Sequence, residues 1–178
     1  MEVKIKLNGG KMPKKAHPSD AAFDLYAPED IELKMGRQVI DLKFSIELPI
    51  GYAATIQPRS GFSCRGISGD LFLDGECFCS DNADADVIRG LVDANYRGNV
   101  GVIVYTREKW PENQKFIIPE GTRIAQMQIV EVPQVELIAV DELSESDRGV
   151  RGFGSTGIKE RITRAYNRML EISSVTES

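Results

Sequence analysis

Apolar side chains in this chain recur at every second position, and that spacing restricts the fold more than any other feature. Val3, Ile5 and Leu7 alternate with charged residues, and Leu42, Phe44, Ile46 and Leu48 do the same in DLKFSIELP. Val100, Val102 and Val104 repeat the pattern, as do Phe116 and Ile118. Successive side chains of a strand point to opposite faces, so a period of two predicts half-buried antiparallel strands. The breaks carry turn formers: NGG, APED, KMGR, LPIGY, KWPENQ, IPEGT and EVPQ. All eight prolines fall at these breaks or at candidate strand ends, where a missing N–H costs no ladder bond. Short strands broken by turns roughly every 8–12 residues predict a sandwich, barrel or jelly roll, with residues 1–140 all-β.

Two regions depart from the pattern. Residues 68–89 hold six acidic side chains and one arginine, and the spacing of Leu71, Leu73 and Phe78 predicts a short hairpin with an acidic tip. In the tail, Ile158, Ile162, Ala165, Met169 and Ile172 fall at three- and four-residue spacing, one face of an amphipathic helix. A C-terminal helical extension is therefore expected.

Charge and composition narrow the function. With 22 basic against 27 acidic residues the net charge is −5, so the basic footprint of a duplex nucleic-acid binder is missing. Any phosphate ligand has to be met by a local group of arginines and backbone amides. The first residues interleave lysine with apolar side chains and do not read as a signal peptide. No run of about 18 apolar residues predicts a membrane span. The cysteines, Cys64, Cys77 and Cys79, cannot all pair within one chain, which points to reduced thiols and a cytoplasmic location.

Elimination removes several chemistries. The single histidine, His17, sits beside Pro18 in a loop-like segment and is expected at the surface rather than in a nucleophilic centre. Cys77 and Cys79 are one residue apart, too close for the usual structural zinc spacing, and read as half-buried small residues. Asp81, Asp84 and Asp86 do not follow a calcium-loop spacing and read as a solvated loop.

What remains are polar residues set in apolar strands. In TIQPRSGFS, Arg59 offers a fork for phosphate oxygens, Ser60 a hydroxyl and Gly61 close backbone approach, although PRSG also makes a plain turn. Asp93, between Val92 and Ala94 and three residues before Tyr96, is a turn former or a general base. Gln126 lies in an apolar strand, where a buried amide needs partners from the fold or a ligand. RGVRGFGSTG, residues 148–157, concentrates donors from glycine-freed amides, two hydroxyls and Arg148; it is a linker or a nest for a terminal phosphate.

In order along the chain, SDAAFDLYA (19–27), PRSG (58–61), GLVDANYRG (90–98), GTRIAQ (121–126) and RGVRGFGSTG (148–157) resemble the five motifs of the trimeric dUTP pyrophosphatase family. The resemblance spans residues 3–157. It implies a distorted jelly-roll β-barrel, a homotrimer with active sites at subunit junctions, and magnesium-dependent hydrolysis of dUTP to dUMP and pyrophosphate, which keeps uracil out of DNA and supplies dUMP for thymidylate synthesis. Asp93 then corresponds to the base that activates water and Tyr96 to the residue packed against the deoxyribose. Arg59, Ser60, Gly61 and Gln126 correspond to triphosphate contacts. Arg148, Gly154, Ser155 and Thr156 correspond to the clamp on the terminal phosphate, and Phe153 to the ring that stacks on uracil. Asp24 corresponds to a carboxylate of structural role or one reaching Mg2+ through water, with no direct protein ligand to the metal. The chain divides accordingly into a domain over 1–147 with an acidic insertion at 68–89, a closing arm over 148–157 and a helical tail over 158–178.

This sequence departs from the family pattern in four places. Ala22 and Arg151 stand where glycines are frequent, the 68–89 segment lengthens the chain between the second and third motifs, and the tail continues past the fifth. The added segments leave room for a protein partner and for a competing reading as a nucleotide-responsive regulatory protein. A deaminase acting on dCTP shares the fold family. The pairing of Asp93 with Tyr96 and the complete GFGSTG arm favour the pyrophosphatase.

Overall fold

A computed structural model describes residues 1–150. It separates into two compact units, Met1–Val135 and Glu136–Ser178. The first carries three four-stranded antiparallel sheets, so the all-β expectation holds. One sheet runs β1 (Lys4–Leu7), β4 (Gly36–Glu47), β10 (Asn99–Thr106), β8 (Ala85–Ile88). Another runs β3 (Ile31–Leu33), β11 (Gln114–Ile118), β6 (Ile67–Leu73), β7 (Glu76–Ala83). The third runs β2 (Phe23–Tyr26), β12 (Arg123–Glu131), β5 (Tyr52–Gln57), β9 (Gly90–Val92).

The alternating residues build the core. Leu42, Phe44 and Ile46 on β4, Val100, Val102 and Val104 on β10, and Phe116 and Ile118 on β11 are all buried in one cluster. Removing such side chains from water, at about 25 cal/mol per Å2 of apolar surface, is what holds the sheets together. On β1 the stripe is weaker: Val3 and Ile5 only pack against the core, and Leu7 is exposed.

Three irregularities shape the sheets. Between Arg123↔Tyr26 and Ala125↔Leu25 the β12–β2 register slips by one, and Ile124 and Ala125 at the slip are both fully buried. In β4, the step from Asp41 to Ser45 faces the shorter step from Asn99 to Gly101, with Lys43 at φ 53° at the bend. The β6–β7 hairpin turns on Asp74-Gly75, both at positive φ, which is the acidic tip expected from the sequence. Its register shifts where Leu71 faces Cys79 and Phe72 faces Cys77, which makes Phe78 an extra residue and leaves it 70% exposed.

Some expectations need correction. The Arg59-Ser60-Gly61 turn opens a short helix, α1 (Ser60–Arg65), whose one buried residue is Phe62. Cys79 is half-buried as expected, but Cys77 beside the bulge is exposed. Asp81, Asp84 and Asp86 do not form a loop: Asp81 is an exposed residue of β7, and Asp84 and Asp86 are the outward half of the alternation in and beside β8, where Ala83, Ala85 and Val87 are buried. Arg107 bridges the Asp84 and Asp86 carboxylates, at 3.3 Å and 2.8 Å. His17 is exposed, as expected.

In the second unit, residues 136–150 form no helix or strand, and a turn is closed by the Gly149 N–H to the Ser146 carbonyl at 3.0 Å. The helix expected over 158–178 lies outside the described residues. Among the described residues no helix is long and apolar enough to cross a membrane.

Candidate active site

Asp93 follows the last residue of β9, where the chain reverses towards β10. Its carbonyl accepts the Tyr96 N–H at 3.1 Å, so the backbone closes the turn. The side chain is exposed and lines a groove of about 270 Å3 with Ile56, Leu91, Tyr96, Asn99 and Gly101. Both readings of this residue are therefore served at once: the main chain makes the turn and the carboxylate stays available. The Tyr96 hydroxyl donates to the Asn99 carbonyl at 3.0 Å. A Cβ on Gly98 would collide with the Tyr96 hydroxyl, so only glycine allows the ring to lie back on its own turn.

A second cleft, about 320 Å3, is lined by Asp20, Asp24, Gln57, Arg59, Ser60 and Gln126. The register of the third sheet assembles it: Gln126 on β12 faces Asp24 on β2 and Gln57 on β5. Asp24 is 9% exposed and takes the Arg59 Nε–H at 2.7 Å through Oδ1 and Arg123 Nη1 at 3.4 Å through Oδ2. A guanidinium has five N–H donors, so the Asp24 bond leaves four on Arg59. Gln126 donates through Nε2 to the Pro58 carbonyl at 2.9 Å, tying β12 to the PRSG corner. Ser60 begins α1 with its side chain exposed. Asp20 accepts the His17 N–H at 2.8 Å and closes the loop that walls the cleft.

The two clusters share no lining residue. Ile56 lines the first and Gln57 the second, and neighbours on a strand face opposite sides of a sheet. Arg148 belongs to the second unit, and Phe153, Gly154, Ser155 and Thr156 lie outside the described residues. Sequence reasoning missed Arg123 as the second cation on Asp24. In a regular strand Arg123 and Gln126 would point to opposite faces; the β12 bulge, which no residue type announces, removes that alternation.

Asp24→Ala would leave two guanidiniums without their shared anion. Breaking a fully buried pair costs about 3–5 kcal/mol. With Arg59 and Arg123 side chains 28% and 49% exposed, the expected loss is smaller, about 2 kcal/mol. Thermal unfolding should show it as a Tm drop of roughly 4–8 °C. An unchanged Tm would show that neither arginine depends on Asp24.

The protein is all-β, with one cleft that sets guanidinium, hydroxyl and amide donors next to Asp20 and Asp24, and a separate groove that holds the exposed Asp93. The dUTPase family model matches residues 8–70 and 81–157, and the chain belongs to the dUTPase family. It is 35% identical over 158 residues to the deoxyuridine 5'-triphosphate nucleotidohydrolase of Clostridium tetani, across 88% of this chain and 96% of that one. The Thermobifida fusca enzyme of the same name is 40% identical over 148 residues, 82% of this chain and 72% of that one. The fold is similar to that of Staphylococcus bacteriophage 80alpha dUTPase solved with dUPNHPP, with a TM-score of 0.71 and 26% identity over 88% of this chain and 99% of that one. The unmatched residues 71–80 cover the tip of the β6–β7 hairpin.

Proposed function

We propose that the chain hydrolyses dUTP to dUMP and pyrophosphate, which limits uracil in DNA and supplies dUMP for dTTP synthesis. The observation that carries this reading is the division of labour between the two clusters. One holds a carboxylate and an aromatic ring at an apolar groove, and the other sets Arg59, Ser60 and Gln126, donors suited to phosphate oxygens, beside Asp20 and Asp24. Because the two lie on opposite faces of β5, a nucleotide that uses both needs more than one subunit. A jelly-roll homotrimer with shared sites, in the cytoplasm, meets that requirement.

In this reading uracil and sugar occupy the Asp93 groove. The backbone of residues 91–103 reads the base, and the Tyr96 ring leaves no room for a 2′-hydroxyl. Arg59, Ser60, the amide at Gly61 and Gln126 of another subunit hold the phosphates. The residue 148–157 arm closes over the top, with Phe153 on the base and Arg148, Gly154, Ser155 and Thr156 on the terminal phosphate. Each charge-assisted bond contributes about 1.5–3 kcal/mol. Several together offset the ordering of a glycine-rich segment at about 1–2 kcal/mol per residue. Asp93 takes a proton from water as its oxygen attacks the α-phosphorus in line, and pyrophosphate leaves with the bonding pair.

The family is Mg2+-dependent, and the donor set suits an ion that arrives on the nucleotide. Among the described residues no group of three or more His, Cys, Asp or Glu side chains is placed to hold a metal. Asp24 is already shared by two arginines. Substrate oxygens and waters would hold the ion, with Asp24 and Asp20 as the carboxylates within reach through water. When bound, magnesium supplies charge neutralisation on the triphosphate.

Pyrophosphate release measured in parallel with dUTP, UTP, dTTP and dCTP tests the assignment. Release from dUTP alone is expected at physiological concentrations. Ammonia release from dCTP would point to the deaminase of the same fold instead.

A further inference from the structure

At the edge of the Asp93 groove is a cluster of polar side chains to which the reaction scheme gives no role. Asn99, the first residue of β10, sits at its centre. Its Oδ1 accepts Asn8 Nδ2 at 2.8 Å and Ser45 Oγ at 3.2 Å, and its Nδ2 donates to Asp41 Oδ2 at 3.0 Å. A carboxylate can only accept, so Asp41 fixes which way the Asn99 amide points. The other Asp41 oxygen accepts the Lys43 N–H at 2.8 Å and stabilises the positive-φ bend of β4. The carbonyl of that bend takes the N–H groups of Asn8 and Gly10, both at 2.8 Å. The N-terminal segment, the β4 bend and the site hairpin thus converge on one amide.

The same residue anchors the site's aromatic ring. The carbonyl that receives the Tyr96 hydroxyl is that of Asn99 itself. Any shift of Asn99 therefore moves the anchor of the Tyr96 ring, and the missing Cβ at Gly98 lets the ring follow. We propose that Asn99 is a positioning residue: through Asp41, Ser45 and Asn8 it fixes the height of Tyr96 in the groove and so sets how strictly deoxyribose is chosen over ribose. This rests on the reading of Tyr96 as the sugar-facing residue.

The test is the ratio of kcat/KM for dUTP over UTP, read alongside thermal unfolding. Asn99→Asp keeps an acceptor for Asn8 and Ser45 but sets a second carboxylate against Asp41. Its ratio should fall about tenfold, chiefly through better use of UTP, with the unfolding transition retained. Combining it with Asp41→Asn rebuilds every bond with donor and acceptor exchanged across the pair. The amide introduced at position 41 would accept from the Lys43 N–H and donate to the carboxylate introduced at position 99. The ratio should then return to within about twofold of the parent. A folded Asn99→Asp chain with the parental ratio, or a double variant no better than the single one, overturns the proposal. Should Asn99→Asp not fold, Asn8→Ala removes the 2.8 Å donor to Asn99 together with the 3.1 Å bond to Ser45 Oγ, and leaves the Asp41–Asn99 bond in place. It should lower the ratio about threefold, and an unchanged ratio would again overturn the proposal. A parent chain that hydrolyses neither nucleotide, or both equally, sinks the functional reading itself and is thereby told apart.

Discussion

Asp93→Asn chains are expected to bind dUTP about as tightly as the parent and to turn it over about a thousandfold more slowly. The amide matches the carboxylate in shape and can still sit against a water, but it cannot take that water's proton. The backbone part of the turn, the Tyr96 N–H to the Asp93 carbonyl, is untouched by the change. Fold and groove should therefore survive, and the loss should fall on kcat. Stopped-flow binding with single-turnover hydrolysis separates the two. Near-parental turnover would remove Asp93 from the chemistry.

Deleting residues 148–178 should leave the sheets intact and reduce turnover about a thousandfold, the worth of about three charge-assisted contacts at about 1.5 kcal/mol each. Among the described residues, those of the hydrophobic cluster precede this segment, so circular dichroism and the unfolding transition of the sheets should change little. The effect should be largest for the triphosphate and small for dUMP binding, because the arm is proposed to close on the terminal phosphate. A fully active truncated chain would end the closing-arm reading.

How far the sequence could be read depended on whether one residue's chemistry or a backbone irregularity decided the outcome. The stripes of β4, β10 and β11 were legible because alternation alone dictates which residues are buried. The β6–β7 hairpin was legible from the spacing of Leu71, Leu73 and Phe78 around an acidic tip. By contrast, β8 was hidden because its outward aspartates looked like part of an acidic loop, while Ala83 and Ala85 are too small to stand out as core residues. The helix α1 is six residues long with one apolar anchor, Phe62, which is too short for a helical period to show. Asp93, Tyr96, Arg59 and Gln126 each had a plain structural alternative in the sequence, and only the order of the motifs along the chain singled them out as site candidates. That Arg123 joins Arg59 on Asp24 could not be read there, since it depends on the extra residue in β12. The separation of the two clusters onto opposite faces of β5 is likewise a property of pairing, which one strand's sequence does not carry.

The substrate site is proposed to be completed between subunits, with the Asp93 groove of one chain facing the Arg59 cleft of another. Co-refolding the Asp93→Asn chain with an Arg59→Ala chain tests this most directly. Each should be nearly inactive alone, yet in equal mixtures about a quarter of the composite sites should pair an intact Asp93 with an intact Arg59, and dUTP turnover should recover to about that fraction. Turnover no higher than the sum of the two separate chains, in assemblies shown to contain both, would contradict a shared site.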